Sequence, residues 1–300
     1  MNNIVKVFFS ISIFCVLAGC ATQKKVLVAK DAIVEKLADG FSFTEGPAVD
    51  KEGNIFFTDQ PNNQILKWSV DDKLSVFSES SGRANGLYFD RKRNLLSCSD
   101  AENEIWSFDK KANHTVLISD FRGNKLNGPN DLWVHPNGNI YFTDPLYARD
   151  YWTRAPKMQQ DGENVYCVLM SEEASVIEVV TDLEKPNGIV GSPDGKHLYI
   201  ADIKANKTYI YDIQKDGTLK NKKLFAPLGS DGMTIDSERN VYLTGKGVTV
   251  FNSSGTQVYH IPIDENWTSN VCFGGKNMNE LFITASKGLY RLRMNVKGVR

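Results

Sequence analysis

Six carboxylate or amide residues recur along the chain at intervals of roughly 40 to 60 residues. They are Glu45, Asn85, Asn130, Asn187, Asp231 and Asn270. If the fold brings these side chains together, they present only oxygen ligands, which favour Ca²⁺ or Mg²⁺ over metals that prefer nitrogen or sulfur. Asn and Asp before a strand are also common turn residues, so a structural role is the alternative. Glu45 fits that alternative poorly, and the set therefore predicts a divalent-cation site.

Nucleophilic catalysis has less support in the sequence. The four His residues are scattered, and none stands at one of the six recurring positions. A Gly-x-Ser-x-Gly segment, which would present a serine nucleophile, is absent from the sequence. Any hydrolytic chemistry is therefore expected to rely on a cation and on carboxylates.

Each of the six residues opens a similar stretch of sequence. The stretches are residues 45–59, 85–100, 130–144, 187–202, 231–245 and 270–285. In each, a short apolar strand is followed by a turn of Asp, Asn, Gly or Pro type and then by a strand rich in Ile, Phe, Tyr and Leu. Two more strands usually follow, so each unit is predicted to be a four-stranded meander the size of a propeller blade.

The ends of the repeat predict how the ring closes. The sixth unit stops after its third strand, whereas residues 32–38 form a strand-like segment before the first unit. This segment is predicted to complete blade six and so to protect open sheet edges. Amphipathic helical stripes are absent, and the sequence predicts an all-β, six-bladed β-propeller over residues 31–300. Inner strands of a propeller start at one mouth of its channel, which would bring the six recurring residues together.

The first twenty residues differ from the rest. Lys6 is followed by an apolar run, residues 7–17, that is too short for a permanent membrane anchor and is typical of a signal peptide. The run ends in LAGC at residues 17–20, which resembles the lipobox of bacterial lipoproteins; an ordinary signal peptide is the alternative. We therefore expect a signal over residues 1–20, lipidation of Cys20, a tether over residues 21–30 and a lipid-anchored location in the bacterial cell envelope.

Bulk composition narrows the possible partners. The formal net charge is -1 and charged residues make up 24% of the chain, so a nucleic-acid partner is not expected. Three cysteines remain after the signal and the lipidated residue are set aside: Cys98, Cys167 and Cys272. All three lie in apolar strand patterns without C-x-x-C spacing, so buried free thiols are predicted.

Four short motifs occur in a recognisable order. They are TEGP at residues 44–47, PND at 129–131, KPNG at 185–188 and SDGM at 230–233. From about residue 43 to residue 291 the chain resembles the gluconolactonase, regucalcin and senescence marker protein family. The resemblance implies a six-bladed propeller with a divalent cation at its channel mouth, which hydrolyses a sugar lactone or a related ester.

The resemblance also assigns roles to individual residues. Glu45, Asn187 and Asp231 match the metal ligands of the family, and Asn130 matches a ligand or a substrate contact. Ca²⁺ is the expected cation, with Mg²⁺ and Zn²⁺ as alternatives. Two recurring residues, Asn85 and Asn270, have no secure counterpart and are expected to support the ligands or to form turns.

The proton-handling residue has two candidates. Asp131 matches a family carboxylate proposed to move protons, and it is the first hypothesis for the general base. Asp231 is the competitor, since a ligand carboxylate can also touch the attacking water. Such a base would take a proton from water and return it to the leaving alkoxide.

The third unit carries the one long insertion, residues 145–164. Its TDP start and the tyrosine that follows resemble the gluconolactonase branch, where this loop stands over the active site. Four of its residues are candidates to hold a polyol or a carboxylate: Arg149, Tyr151, Trp152 and Arg154. A solvated loop with incidental charges is the alternative.

The sequence thus favours a metal-dependent lactonase that acts on a small lactone. A non-catalytic, calcium-containing propeller that binds a ligand or a protein is the alternative. The membrane is expected to be reached through the lipid only. The sequence leaves open which lactone is used and how many chains associate.

Overall fold

The computed structural model describes residues 26–170 and 174–299 and arranges them as six four-stranded antiparallel sheets, which confirms the predicted all-β propeller. The predicted signal peptide and Cys20 lie outside the described residues. Within the described ranges there is no α-helix, only the 3-10 turns Gln60–Asn62 and Asp100–Glu102. Accordingly, no helix in these ranges is long and apolar enough to cross a membrane.

The strands follow the repeat of the sequence. The first, β1, spans Glu35–Ala38. Blade one contains β2 (Thr44–Val49), β3 (Ile55–Asp59), β4 (Gln64–Trp68) and β5 (Leu74–Ser78). Blade two contains β6 (Ala84–Phe89), β7 (Leu95–Ser99), β8 (Glu104–Phe108) and β9 (His114–Ile118), and a small hairpin of β10 (Asp120–Phe121) and β11 (Asn124–Lys125) follows it.

The remaining blades repeat this order. Blade three contains β12 (Leu132–Val134), β13 (Ile140–Asp144), β14 (Asn164–Leu169) and β15 (Ser175–Val180). Blade four contains β16 (Pro186–Gly191), β17 (His197–Asp202), β18 (Lys207–Ile213) and β19 (Leu219–Ala226). Blade five contains β20 (Met233–Ile235), β21 (Val241–Gly245), β22 (Gly247–Phe251) and β23 (Gln257–Ile261), and blade six contains β24 (Thr268–Gly274), β25 (Glu280–Ala285) and β26 (Gly288–Arg293).

An Asp–Asn pair fixes the turn after the inner strand in several blades. In blade one, Oδ1 of Asp50 accepts the backbone N–H of Asn54 at 2.8 Å, and Oδ2 accepts its side-chain amide at 2.7 Å. Asp90 and Asn94 repeat this arrangement in blade two. Side chains that bond to the local backbone favour turns over strands, which explains why the recurring Asp-x-x-x-Asn pattern separates the first two strands.

The ring closes as predicted, because β1 pairs with β26 as the outer strand of blade six. A core cluster joins Phe57 of blade one to Phe282 and Cys272 of blade six. The hydroxyl of Ser269 also donates a 2.6 Å hydrogen bond to the carbonyl of Thr44. The three described cysteines are free and buried, as expected.

The propeller begins before residue 31. Leu27 is buried in the core of blade six, and Val28 forms a bridge with Met294. Part of the segment predicted as a tether therefore packs against the propeller, because the apolar side chain of Leu27 is removed from water there.

Candidate metal and active site

The recurring residues stand at or just before the start of each inner strand, where neighbouring blades approach closely. A Cβ placed on Gly46 would lie 2.1 Å from the carbonyl oxygen of Asn85, and one on Gly232 would lie 1.9 Å from the side chain of Asn270. Neither position has room for a side chain. The glycine that follows the recurring residue in four of the six copies is thus needed to pack the inner strands around the axis.

Asp131 occupies the position that is glycine in those four copies. It is 6% exposed, and its Oδ1 accepts the backbone N–H of Leu132 at 2.9 Å. A Cβ on Gly86 of the preceding blade would lie 2.5 Å from the same oxygen, so the glycine of blade two makes room for the carboxylate of blade three. Burial raises the pKa of Asp131 to about 8, and the negative charge of Asp231 adds to the rise.

Glu45 and Asp231 form a mutually repelling pair of carboxylates. Oε2 of Glu45 accepts the backbone N–H of Gly46 at 3.0 Å and the side-chain amide of Asn270 at 3.4 Å. Burial, followed by the charge of Asp231, raises the pKa of Glu45 well above its usual value. Burial likewise raises the pKa of Asp231 to about 6. Among the described residues, no Lys or Arg forms an ion pair with Glu45, Asp131 or Asp231.

Asn187 presents a free oxygen to this group. Its Nδ2 donates a 3.0 Å hydrogen bond to the hydroxyl of Tyr147, which fixes the orientation of the amide. Its Oδ1 is buried and has no hydrogen-bond partner in the described structure. A buried acceptor without a partner costs free energy, and a cation would satisfy it.

These observations fit a divalent cation. The unpaired amide oxygen of Asn187 and the carboxylates of Glu45 and Asp231 are hard donors, and a positive charge would favour the ionised form of the two buried acids, whose pKa values burial raises. No set of three or more His, Cys, Asp or Glu side chains that could hold a metal ion occurs in the described part of the chain. A cation here would therefore depend on amide oxygens as well as on carboxylates.

The other recurring asparagines surround this set. Asn130 is 4% exposed, and its carbonyl accepts the N–H of Gly86 at 2.7 Å. Asn85 is buried, and its carbonyl accepts the hydroxyl of Thr58 at 3.1 Å. The side-chain amide of Asn270 donates to Glu45, and its Oδ1 accepts the backbone N–H of Val271 in its own strand.

Asp131 also faces an apolar cavity. It lines a space of about 560 Å³ together with Asn270 and apolar residues of the inner strands such as Leu87 and Ile189. The cavity extends toward the Asp50 turn at the opposite end of those strands. The lining of this cavity next to Asp131 is mainly apolar, which agrees with the raised pKa of the buried carboxylate.

Three of the four predicted substrate contacts in the long loop converge on Asp100. This residue is 3% exposed, and its Oδ2 accepts hydrogen bonds from the indole of Trp152 at 3.1 Å and the hydroxyl of Tyr151 at 3.4 Å. Arg154 donates to the carbonyls of Asp100 and Asn127 at 3.2 and 2.6 Å. These side chains fasten the loop to blade two, and burial raises the pKa of Asp100 to about 6.

Arg149, the fourth predicted contact, is near Asp100 but forms no hydrogen bond with it. Its Nε is 3.9 Å from Oδ2 of Asp100, and its guanidinium carbon is 5.1 Å from the centre of the Tyr147 ring. Since Tyr147 bonds directly to Asn187, the loop places a positive charge one aromatic ring away from Glu45, Asn187 and Asp231, which together form an oxygen cage.

The four histidines make their contacts away from this group of residues. His114 stacks on Trp106 with ring centroids 3.7 Å apart, and His135 pairs with the carbonyl of Gly195 at 2.9 Å. His260 contacts the hydroxyl of Thr249 on the outer part of blade five, and His197 lies beside Asp212. The described site thus consists of carboxylates, amides and aromatic donors.

Three residues of the site were missed in the sequence. Trp267 donates a 2.6 Å hydrogen bond to Oδ2 of Asp231, Tyr147 orients Asn187, and Asp100 anchors the loop. Trp267 lies outside the repeated stretches, and only its position three residues before Asn270 could have drawn attention to it. Asp100 is the last residue of the stretch 85–100, and an Asp also ends three other stretches, at residues 59, 144 and 202. Tyr147 was noted in the loop, but it had been given no role.

Known proteins share this architecture. The chain matches the SMP-30/Gluconolactonase/LRE-like family over residues 43–287. It is 27% identical to the gluconolactonase of Zymomonas mobilis, in an alignment that covers 88% of this chain and 82% of that enzyme. A solved gluconolactonase structure from Xanthomonas campestris has a TM-score of 0.83 and 28% identity, with 89% of this chain and 91% of that chain covered. Regucalcin from Agrobacterium tumefaciens, a calcium-binding protein, shares the fold with a TM-score of 0.73 and 19% identity, with 89% and 95% covered.

Proposed function

This chain belongs to the SMP-30/Gluconolactonase/LRE-like family, and from that premise we propose that it is an enzyme that hydrolyses a sugar lactone or a related ester at the oxygen cage of its channel. The observation that carries the proposal is the buried, unpartnered Oδ1 of Asn187 beside the carboxylates of Glu45 and Asp231. A purely structural set of turn residues would satisfy its own polar atoms.

The cage has the composition of a divalent-cation site. Glu45, Asn187 and Asp231 would hold the ion, and Asn130 would contribute a further oxygen or contact the substrate. When bound, a divalent cation polarises the lactone carbonyl and stabilises the charge that grows on its oxygen. Hard oxygen donors make Ca²⁺ the first candidate, with Mg²⁺ and Zn²⁺ as alternatives.

A carboxylate of the protein would transfer the proton during hydrolysis. Water adds through its oxygen to the carbonyl carbon, the ring C–O bond breaks, and the products are a carboxylate, a hydroxyl group and one released proton. Asp131 would accept the proton of the attacking water and pass it to the departing ring oxygen. Asp231 is the alternative base, but in this proposal its carboxylate holds the cation while the indole of Trp267 donates to its Oδ2.

A direct assay tests the function. Purified protein would be offered glucono-1,5-lactone and a small panel of lactones in a pH-indicator assay, with and without a chelator. Acid release that the chelator abolishes and Ca²⁺ restores is expected. A protein that binds Ca²⁺ but opens no lactone would contradict the enzyme and favour a binding propeller.

We also propose that the mature protein is held at the bacterial cell envelope by lipid on Cys20. The LAGC motif at residues 17–20 supports this location. The packing of residues 26–30 on blade six would leave only residues 21–25 between lipid and propeller, so the domain would sit close to the membrane surface.

A further inference from the structure

The long loop contains one guanidinium group without a hydrogen bond. The side chain of Arg149 is 29% exposed, and its Nε is buried without a partner. The described residues offer its guanidinium only the carboxylate of Asp100, at 3.9 Å, which is too far for a hydrogen bond. Burying polar groups without partners costs free energy, so this geometry calls for a partner supplied from outside the chain.

Asp100 has hydrogen-bond donors other than Arg149, although the charge of Arg149 opposes the rise that burial causes in its pKa. The indole of Trp152 and the side-chain amide of Gln60 donate to its Oδ2 at 3.1 and 3.3 Å, and Arg154 lies 4.0 Å from its Oδ1. Arg154 itself donates to two backbone carbonyls and stacks on Trp152. Arg149 is therefore the arginine of the loop whose donors remain uncommitted.

Arg149 is also placed toward the oxygen cage. The ring of Tyr147 separates its guanidinium from the amide of Asn187. Its charge opposes part of the rise that burial causes in the pKa of Asp231. The nearby cation of Lys185 is already engaged, because it donates to the carbonyl of Leu146 and pairs with Glu163 at 3.2 Å.

We propose that Arg149 binds a carboxylate carried by the substrate, so that the preferred substrates are lactones of sugar diacids or uronic acids rather than neutral sugar lactones. The proposal rests on the lactonase function proposed above. An arginine fork matches a carboxylate with two parallel hydrogen bonds, which a hydroxymethyl group cannot replace. The lactone carbonyl would then lie at the cage while the second acid group lies against the loop.

Two lactones of equal ring size test the proposal. Glucaro-1,4-lactone carries a free carboxylate where glucono-1,4-lactone carries a hydroxymethyl group. We expect the Ca²⁺-loaded wild type to have the higher kcat/KM for the glucaro-lactone. Arg149→Gln should lower that value by about 100-fold and the value for the neutral lactone by less than about threefold, since charge-assisted bidentate contacts are strong.

Two further variants and a binding measurement serve as controls for Arg149→Gln. Arg122→Gln is the matched control, because it removes the same charge from an exposed position over Phe121. Arg149→Lys keeps the charge without the fork and should fall between the wild type and Arg149→Gln. Titration of glucarate against the wild type and Arg149→Gln should show weaker binding to the variant, by at least about tenfold, without relying on turnover.

The outcomes separate the two proposals. A wild-type preference for the neutral lactone, or an equal loss on both substrates in Arg149→Gln, would overturn the carboxylate site and leave the lactonase intact. If the Ca²⁺-loaded wild type opens neither lactone nor any other of the panel, the lactonase function fails and the carboxylate site fails with it.

Discussion

The indole nitrogen of Trp267 donates a 2.6 Å hydrogen bond to Oδ2 of Asp231. Asp231 precedes the inner strand of blade five, whereas Trp267 immediately precedes that of blade six. One blade thus orients the carboxylate of its neighbour. The bond occupies one oxygen and leaves Oδ1 as the atom most available to a cation.

Replacing this donor tests its role. Trp267→Phe should weaken Ca²⁺ binding by about 10- to 100-fold, because partners that orient a ligand contribute to affinity in this range. Isothermal titration would measure the change. Trp68→Phe is the matched control, since it removes an indole that donates to Asp72 on the outer part of blade one. Equal affinities in Trp267→Phe and the control would contradict the orienting role.

The two candidate bases can be separated by their substitutions. Asp131→Asn should lower turnover by about 100-fold or more while Ca²⁺ still binds, because the amide cannot accept the proton of water. Asp231→Asn should instead weaken Ca²⁺ binding and turnover together. Measuring kcat and Ca²⁺ affinity for both variants distinguishes the roles. Near-normal turnover in Asp131→Asn would rule out that residue as the base.

Cation affinity should rise with pH. Burial raises the pKa of Asp231 to about 6, and the pKa of Glu45 is raised as well. Protons therefore compete with the cation below about pH 6, and the apparent Kd for Ca²⁺ should rise as the pH falls from 7.5 to 5. Titrations in buffers of different ionisation enthalpy would also show proton release on binding. An affinity independent of pH over this range would mean that these carboxylates do not bind the ion.

The loop should loosen when its anchor is removed. Asp100→Asn removes the negative charge that lies 4.0 Å from Arg154. It also weakens the hydrogen bonds that Trp152 and Tyr151 donate to this side chain. Trypsin should then cleave after Arg149 and Arg154 several-fold faster than in the wild type. Asp109→Asn, in an exposed turn, serves as the control. Unchanged cleavage in Asp100→Asn would show that Asp100 does not hold the loop.

The proposed lipid anchor depends on one thiol. Cys20→Ser removes the proposed acylation site, so the full chain expressed in a bacterium should move from the membrane fraction to the soluble fraction. Immunoblots of fractionated cells would show the shift, and metabolic labelling with a fatty acid should fail for the variant. Cys98→Ser is a matched control for loss of a thiol. Retention of the variant in the membrane fraction would contradict a lipid anchor.

The sequence alone determined the fold and the membership of the oxygen cage. Strand alternation and Asp-to-Asn turns are local properties, so six copies could be aligned and the closing strand β1 identified. Glu45 and Asn270 are 225 residues apart in the sequence. The alignment nevertheless placed them side by side, because the inner strands of all blades start at the same mouth of the propeller channel.

Only the tertiary structure decided which polar atoms are already bonded. Trp152 and Asp100 are 52 residues apart and belong to different blades, so no local pattern predicted that the loop's polar side chains would be used to fasten it. The free oxygen of Asn187 and the uncommitted donors of Arg149 became visible only once every neighbouring partner was in place. Whether a polar atom is hydrogen-bonded and buried depends on all the elements that surround it. These two properties, rather than residue type, identify the Asn187 oxygen and the Arg149 donors as the groups available to a cation and a substrate.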